Sequence, residues 1–112
     1  MFVRLYTGKD GQSHLEDMEP PTGTVENSPV LGASSVTFRR SEPGDFIDWH
    51  PAPRKQYIIT LSGEVEIGLG DGTLRRFGAG DVMLADDLTG QGHTTRSVGD
   101  EPRISAAIPL TD

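Results

Sequence analysis

Apolar residues along this chain recur mostly at every second position in short runs, and Gly, Pro, Asn, Asp and Ser cluster between the runs. A period of two is the signature of half-buried strands, whereas an amphipathic helix would repeat at three and four. Phe2 to Thr7 alternate as a strand, and Gly8-Lys9-Asp10-Gly11 supplies a turn that folds it back into an edge hairpin. Ser13 followed by Glu16 matches a capping box, yet Pro20-Pro21 ends any helix within two turns. His14 to Glu19 therefore stands open between a short helix and an edge strand. Pro20 to Ser35 mixes turn formers and reads as a loop with a brief extended piece around Val30 and Leu31. A loop of that length in a compact chain is expected to lie over the mouth of a pocket.

Val36 to Arg39 alternates again, Ser41 to Gly44 turns, and Phe46 to His50 starts the next strand. Strict alternation there would put Asp48 and His50 on one face and Ile47 and Trp49 on the other. Gln56 to Leu61 carries apolar groups on both faces, as a central strand does when it is covered twice, once in the interior and once by another layer or subunit. Gln56, Ile58 and Thr60 then point together. Glu64 to Leu69 alternates with Val65, Ile67 and Leu69 inward, and Asp71-Gly72 predicts a type I′ hairpin into Thr73 to Phe77. Val82 to Ala85, His93 to Val98 and Arg103 to Pro109 complete about nine or ten short strands at turn spacings of about 8 to 12 residues, the pattern of a sandwich or jelly roll.

The chain has 112 residues with 14 Gly and 8 Pro, enough for one compact all-β domain over 1–112 and too few for two. It contains no Cys, which removes disulfides, thiolate ligands and Cys nucleophiles together and agrees with a reducing compartment. A formal charge of -7 argues against a nucleic-acid partner, and Arg39-Arg40 and Arg75-Arg76 are too small as clusters to reverse it. No stretch has the apolar length of a signal peptide or a membrane span, so a cytoplasmic protein with no membrane partner is expected. Gly68-Leu-Gly-Asp-Gly72 resembles a phosphate loop in composition only, since no helix follows it.

Two stretches carry candidate chemistry. In Gly44-Asp-Phe-Ile-Asp-Trp-His50-Pro-Ala52-Pro-Arg-Lys-Gln56-Tyr-Ile-Ile-Thr-Leu-Ser-Gly63, a Pro-rich bend places an imidazole directly before an apolar strand. The spacing resembles the first signature of the cupin family, with Gly44, His50, Gln56 and Gly63 at marked positions, Ala52 where a second His belongs and Gln56 where a Glu belongs. Gly80 to Ser97 is similar to the second signature with two extra loop residues: Gly80, Asp86 in place of Pro, Gly90, His93, and Ser97 in place of Asn. Together the motifs span 44–63 and 80–97, about half of the chain. The resemblance implies a double-stranded β-helix, the cupin jelly-roll barrel, with His50, Gln56 and His93 converging at its mouth.

The resemblance also implies a divalent metal ion, Fe, Mn, Ni, Zn or Cu, held by His50, Gln56 and His93. Replacing an anionic carboxylate by an amide and removing one imidazole lowers the affinity such a site can reach, unless Asp48, Asp86 or Asp87 turns inward. His50 and His93 are the candidate catalytic residues, as metal ligands or with one as general base. Gln56, Ile58, Trp49 and Met83 are candidates for contacting a small-molecule substrate. Plainer readings stand beside these: rim histidines satisfied by hydrogen bonds, Gln56 tied to backbone, Trp49 and Tyr57 as packing or dimer contacts, and Ile58, Met83, Phe38 and Val65 as ordinary core. Three functions follow as alternatives: a small cupin enzyme of dioxygenase, isomerase or lyase type, a non-catalytic small-molecule binder, and a homodimerising barrel without metal.

Overall fold

The computed structural model describes residues 1–111, and every regular element in it is a strand. In chain order these are β1 (Phe2–Thr7), β2 (Ser13–Asp17), β3 (Thr37–Ser41), β4 (Phe46–His50), β5 (Gln56–Ser62), β6 (Glu64–Gly68), β7 (Leu74–Phe77), β8 (Val82–Asp86), β9 (His93–Val98) and β10 (Arg103–Pro109). A six-stranded sheet runs β2-β1-β8-β5-β10-β3 and faces a four-stranded sheet in the order β4-β9-β6-β7. All pairings are antiparallel except β1 with β8. The hydrophobic core lies between the sheets, where Val3 and Leu5 of β1 and Met83 and Ala85 of β8 meet Val65, Ile67 and Phe77. The alternation of β6 is realised, with Val65 and Ile67 buried and Glu64 exposed.

The open choice at His14 to Glu19 resolves to an edge strand through Asp17: Pro20-Pro21 leaves no length for a helix, and the register Leu5↔Leu15 gives the segment ladder partners. Other expectations are corrected. The β6–β7 turn is not type I′, because Gly72 has φ of 91° while Asp71 keeps an ordinary negative φ. Gly72 N–H bonds to Leu69 O and Leu69 N–H to Thr73 O, so the loop is one residue longer than a two-residue hairpin and only its last turn position needs glycine. Residues 20–35 do not cover the pocket. Their far end runs along the edge of the last strand, with Ser34 N–H bonded to Pro109 O and an isolated bridge between Ala33 and Leu110.

Strand β4 departs from alternation as well. Its pairing with β9 shifts register between Ile47 and His50, so Ile47, though 56% exposed, and His50 both line the cavity while Asp48 and Trp49 do not. Among the described residues no helix is long and apolar enough to cross a membrane.

Candidate functional site

A cavity of about 530 Å³ opens between the two sheets. Its apolar wall comes from Ile58, Val65, Ile67 and Met83, and His50, Gln56 and His93 line it together. His50 and His93 are direct cross-strand partners in the β4–β9 ladder, with ring centroids 4.5 Å apart and planes inclined by 53°. Gly92 makes that approach possible: at φ of 78° a Cβ there would fall 2.0 Å from the His50 carbonyl oxygen. Proximity of the two imidazoles is thus set by backbone packing as well as by strand pairing.

Hydrogen bonds fix which nitrogen of each ring is free. His50 Nδ1 lies 2.7 Å from the Asp48 carbonyl oxygen, which only accepts, so Nδ1 carries the proton. His93 Nδ1 lies 2.6 Å from Asp87 Oδ2, and the same oxygen accepts the Ser13 hydroxyl at 2.7 Å. Asp87 is 0% exposed and its Oδ1 has no partner among the described residues. A neutral imidazole whose Nδ1 donates leaves its Nε2 lone pair available, and here that holds for both rings. Histidines that bind metals are oriented in the same manner, by a carbonyl or a carboxylate behind the ring.

The donor chemistry fits a divalent ion only as a set of neutral ligands: two imidazoles and the amide oxygen of Gln56, a residue 4% exposed at the cavity wall. Among the described residues no group of three His, Cys, Asp or Glu side chains is placed to hold one. The acidic substitutes are engaged elsewhere. Asp48 Oδ1 accepts the Trp49 amide, Asp86 Oδ2 accepts two bonds from Arg4 at 3.2 and 3.0 Å, and Asp87 stands behind His93 rather than beside its Nε2. Ala52 lines the cavity and leaves its wall apolar where the family motif has an imidazole.

Of the other residues expected to touch a ligand, Ile58 and Met83 line the cavity. Trp49 does not: it is 42% exposed and lies outside the lining, on the strand face opposite the neighbouring His50. Arg54, Lys55 and Arg96 are also outside the lining, and Arg96 instead stacks over Phe46 with its guanidinium carbon 4.4 Å from the ring centre. The cations that do line it, Arg39, Arg40 and Arg103, were not expected there from the sequence, where Arg39-Arg40 stood out only as a small basic cluster. A signal existed in the last strand, where Arg103 and Ser105 occupy the face that Ala107 continues, a polar start to an inward-facing row. Asp87 was considered as a ligand and not as the partner of an imidazole.

No family model matches the sequence, and no curated protein matches it. Solved structures do. A conserved protein with a double-stranded beta-helix domain from Klebsiella pneumoniae is 24% identical, with a TM-score of 0.55 over 80% of this chain and 83% of that one. A cupin domain from Bordetella pertussis is 16% identical at a TM-score of 0.53, over 77% of this chain and 100% of that one. An RmlC-like cupin protein from Desulfovibrio desulfuricans is 18% identical at 0.50, over 71% of this chain and 80% of that one. The fold is the double-stranded β-helix of the cupins, as the two motifs imply.

Proposed function

We propose that this chain is a small cupin that binds a small organic molecule between its sheets and acts on it through His50 and His93. One observation carries the reading: two imidazoles stand side by side at a cavity, each with Nδ1 tied and Nε2 left to receive a proton or a ligand atom. A ligand hydroxyl placed there donates to one Nε2. His93 is the better-placed proton acceptor, since the Asp87 carboxylate offsets the positive charge that a proton at Nε2 creates. His50, backed by a carbonyl, holds and orients. Gln56 offers an amide that can donate or accept, and Ile58 and Met83 exclude water from the opposite side. His50, His93 and Gln56 are the residues that would hold a divalent metal ion, which would supply Lewis-acid polarisation of a ligand oxygen. A cytoplasmic location belongs to the same reading and is supported by the absence of cysteine.

A thermal-shift screen with small organic acids, alcohols and amides, with and without chelator, tests it. The expected result is a ligand that raises the melting temperature and is turned over, with turnover lost in the His50→Ala/His93→Ala double variant. Full turnover in that variant overturns it.

A second copy of the chain is the partner we infer for the outer face of the six-stranded sheet. Cross-strand pairing puts Phe38, Ala106 and Ile59 in one row and Ile108, Tyr57 and Leu84 in another on that face. Phe38 is 68% exposed, and no helix covers the row among the described residues. An apolar sheet face pairs with itself about a two-fold axis. Light scattering on a size-exclusion column is expected to report a dimer for the wild type and a monomer for Ile59→Lys; a wild-type monomer contradicts the inference.

A further inference from the structure

Arg103 opens β10 on the inner face of its sheet and lines the cavity. Its Nη2 donates to Thr60 Oγ1 at 3.1 Å, while its Nε is buried without a partner among the described residues. Among the described residues neither Arg103 nor Arg39 has a carboxylate at ion-pair distance. Arg39 sits on the neighbouring strand opposite Ser105 and lines the same cavity. Arg40 is paired with Glu42 at 2.9 Å; Asp45 also lines the cavity, where its Oδ2 accepts the Glu42 amide at 2.8 Å, and among the described residues it forms no ion pair with Arg39 or Arg103. Burial and the charge of Arg39 push the Arg103 pKa down to about 10, so the group stays cationic at neutral pH in surroundings that do not favour the charge. In a chain of formal charge -7, two guanidinium groups without an ion-pair partner among the described residues, Arg103 half-buried and Arg39 exposed, make this part of the cavity lining locally cationic.

Resting on the reading that this cavity is the ligand site, we propose that its ligand carries a carboxylate, received by Arg103 with Arg39 beside it. A planar two-oxygen group matches the planar donor fork of a guanidinium, satisfies the orphaned Nε–H and supplies the missing counter-charge. The apolar wall of Ile58, Val65 and Met83 then takes the body of the ligand, and the imidazole pair takes its reactive part. The substrate class is a small organic acid. Leaving a buried donor unmet costs stability, and a ligand carboxylate would meet it.

The test uses acetate, malonate, benzoate and salicylate, each against its neutral amide, and inorganic phosphate, read by thermal shift and calorimetry. At least one carboxylate is expected to raise the wild-type melting temperature while its amide does not. Arg103→Met is expected to abolish that shift with an unliganded melting temperature equal to or above wild type. Arg103→Lys, which keeps the charge and loses the fork, and Arg39→Gln are each expected to bind about ten-fold more weakly or worse. The His50→Ala/His93→Ala variant is expected to weaken the carboxylate shift without abolishing it, whereas Arg103→Met abolishes it, which separates failure of imidazole chemistry from failure of anion recognition. The proposal is overturned if no carboxylate shifts the wild type, if amides or phosphate alone do so, or if Arg103→Met and Arg103→Lys retain the carboxylate shift. Binding of neutral ligands that depends on His50 and His93 would leave the cavity reading standing and remove this one.

Discussion

At Asp87, one carboxylate oxygen serves two donors, the Ser13 hydroxyl and His93 Nδ1, in a setting closed to water. Replacing Asp87 by Ala leaves both donors without an acceptor, and a loss of about 3 kcal/mol is expected in urea denaturation. The role was not legible because Asp86-Asp87 reads as the start of a polar loop, and only the tertiary structure shows one of the two facing in. His50 and His93 were legible, since spacing alone put them at matching motif positions. Trp49 was misplaced although alternation puts it on the face opposite His50; the shift in pairing with β9 instead brings Ile47 to the cavity and takes Asp48 away from it. The neutral donor set carries its own prediction. Ala52→His with Gln56→Glu adds an imidazole and an anion at the cavity wall and is expected to tighten divalent-metal binding by about 100-fold or more, measured by competition with a chelator. Unchanged affinity would mean that these positions do not converge on the imidazoles.

Strand endings, more than strand interiors, decide where the site residues sit. Gly92→Ala places a methyl group against the His50 carbonyl at a left-handed φ, so β9 cannot keep its distance from β4. We expect a loss of about 2 kcal/mol or more and a displaced His93, checked by denaturation and by a crystal structure of the variant. The turn before β8 depends on Asp81, whose Oδ2 accepts the Gly78 amide at 2.8 Å and whose Oδ1 pairs with the terminal ammonium. Burial opposes its ionisation, but the ammonium and that amide outweigh it and hold the carboxyl below its ordinary value of 3.8. A folded carboxyl below its unfolded value contributes stability that is present above the unfolded value and fades as pH falls through the folded one. Asp81→Asn is therefore expected to cost about 1 kcal/mol at neutral pH, with the gap to wild type closing in acid. The strands themselves were readable from alternation, whereas the β6–β7 turn was not, because Asp71-Gly72 is shared by two hairpin geometries that differ by one loop residue.

The whole molecule combines an acidic exterior with an interior space edged by imidazole at one place and guanidinium at another. Its barrel was legible from about nine or ten short strand-like segments, several of them alternating, and two spaced motifs, since sheet closure is what such segments can do without helices. The cationic lining was not, because Arg39 and Arg103 are distant in sequence and become neighbours only through the β3–β10 ladder. Every functional step above requires that both imidazoles offer Nε2 to the cavity. Long-range ¹H–¹⁵N correlation spectra of the imidazole rings, assigned with His50→Ala and His93→Ala and recorded with chelator at mildly alkaline pH, observe this directly. Both rings are expected as the tautomer with the proton on Nδ1 and a bare Nε2; a proton on Nε2 of either ring would contradict it.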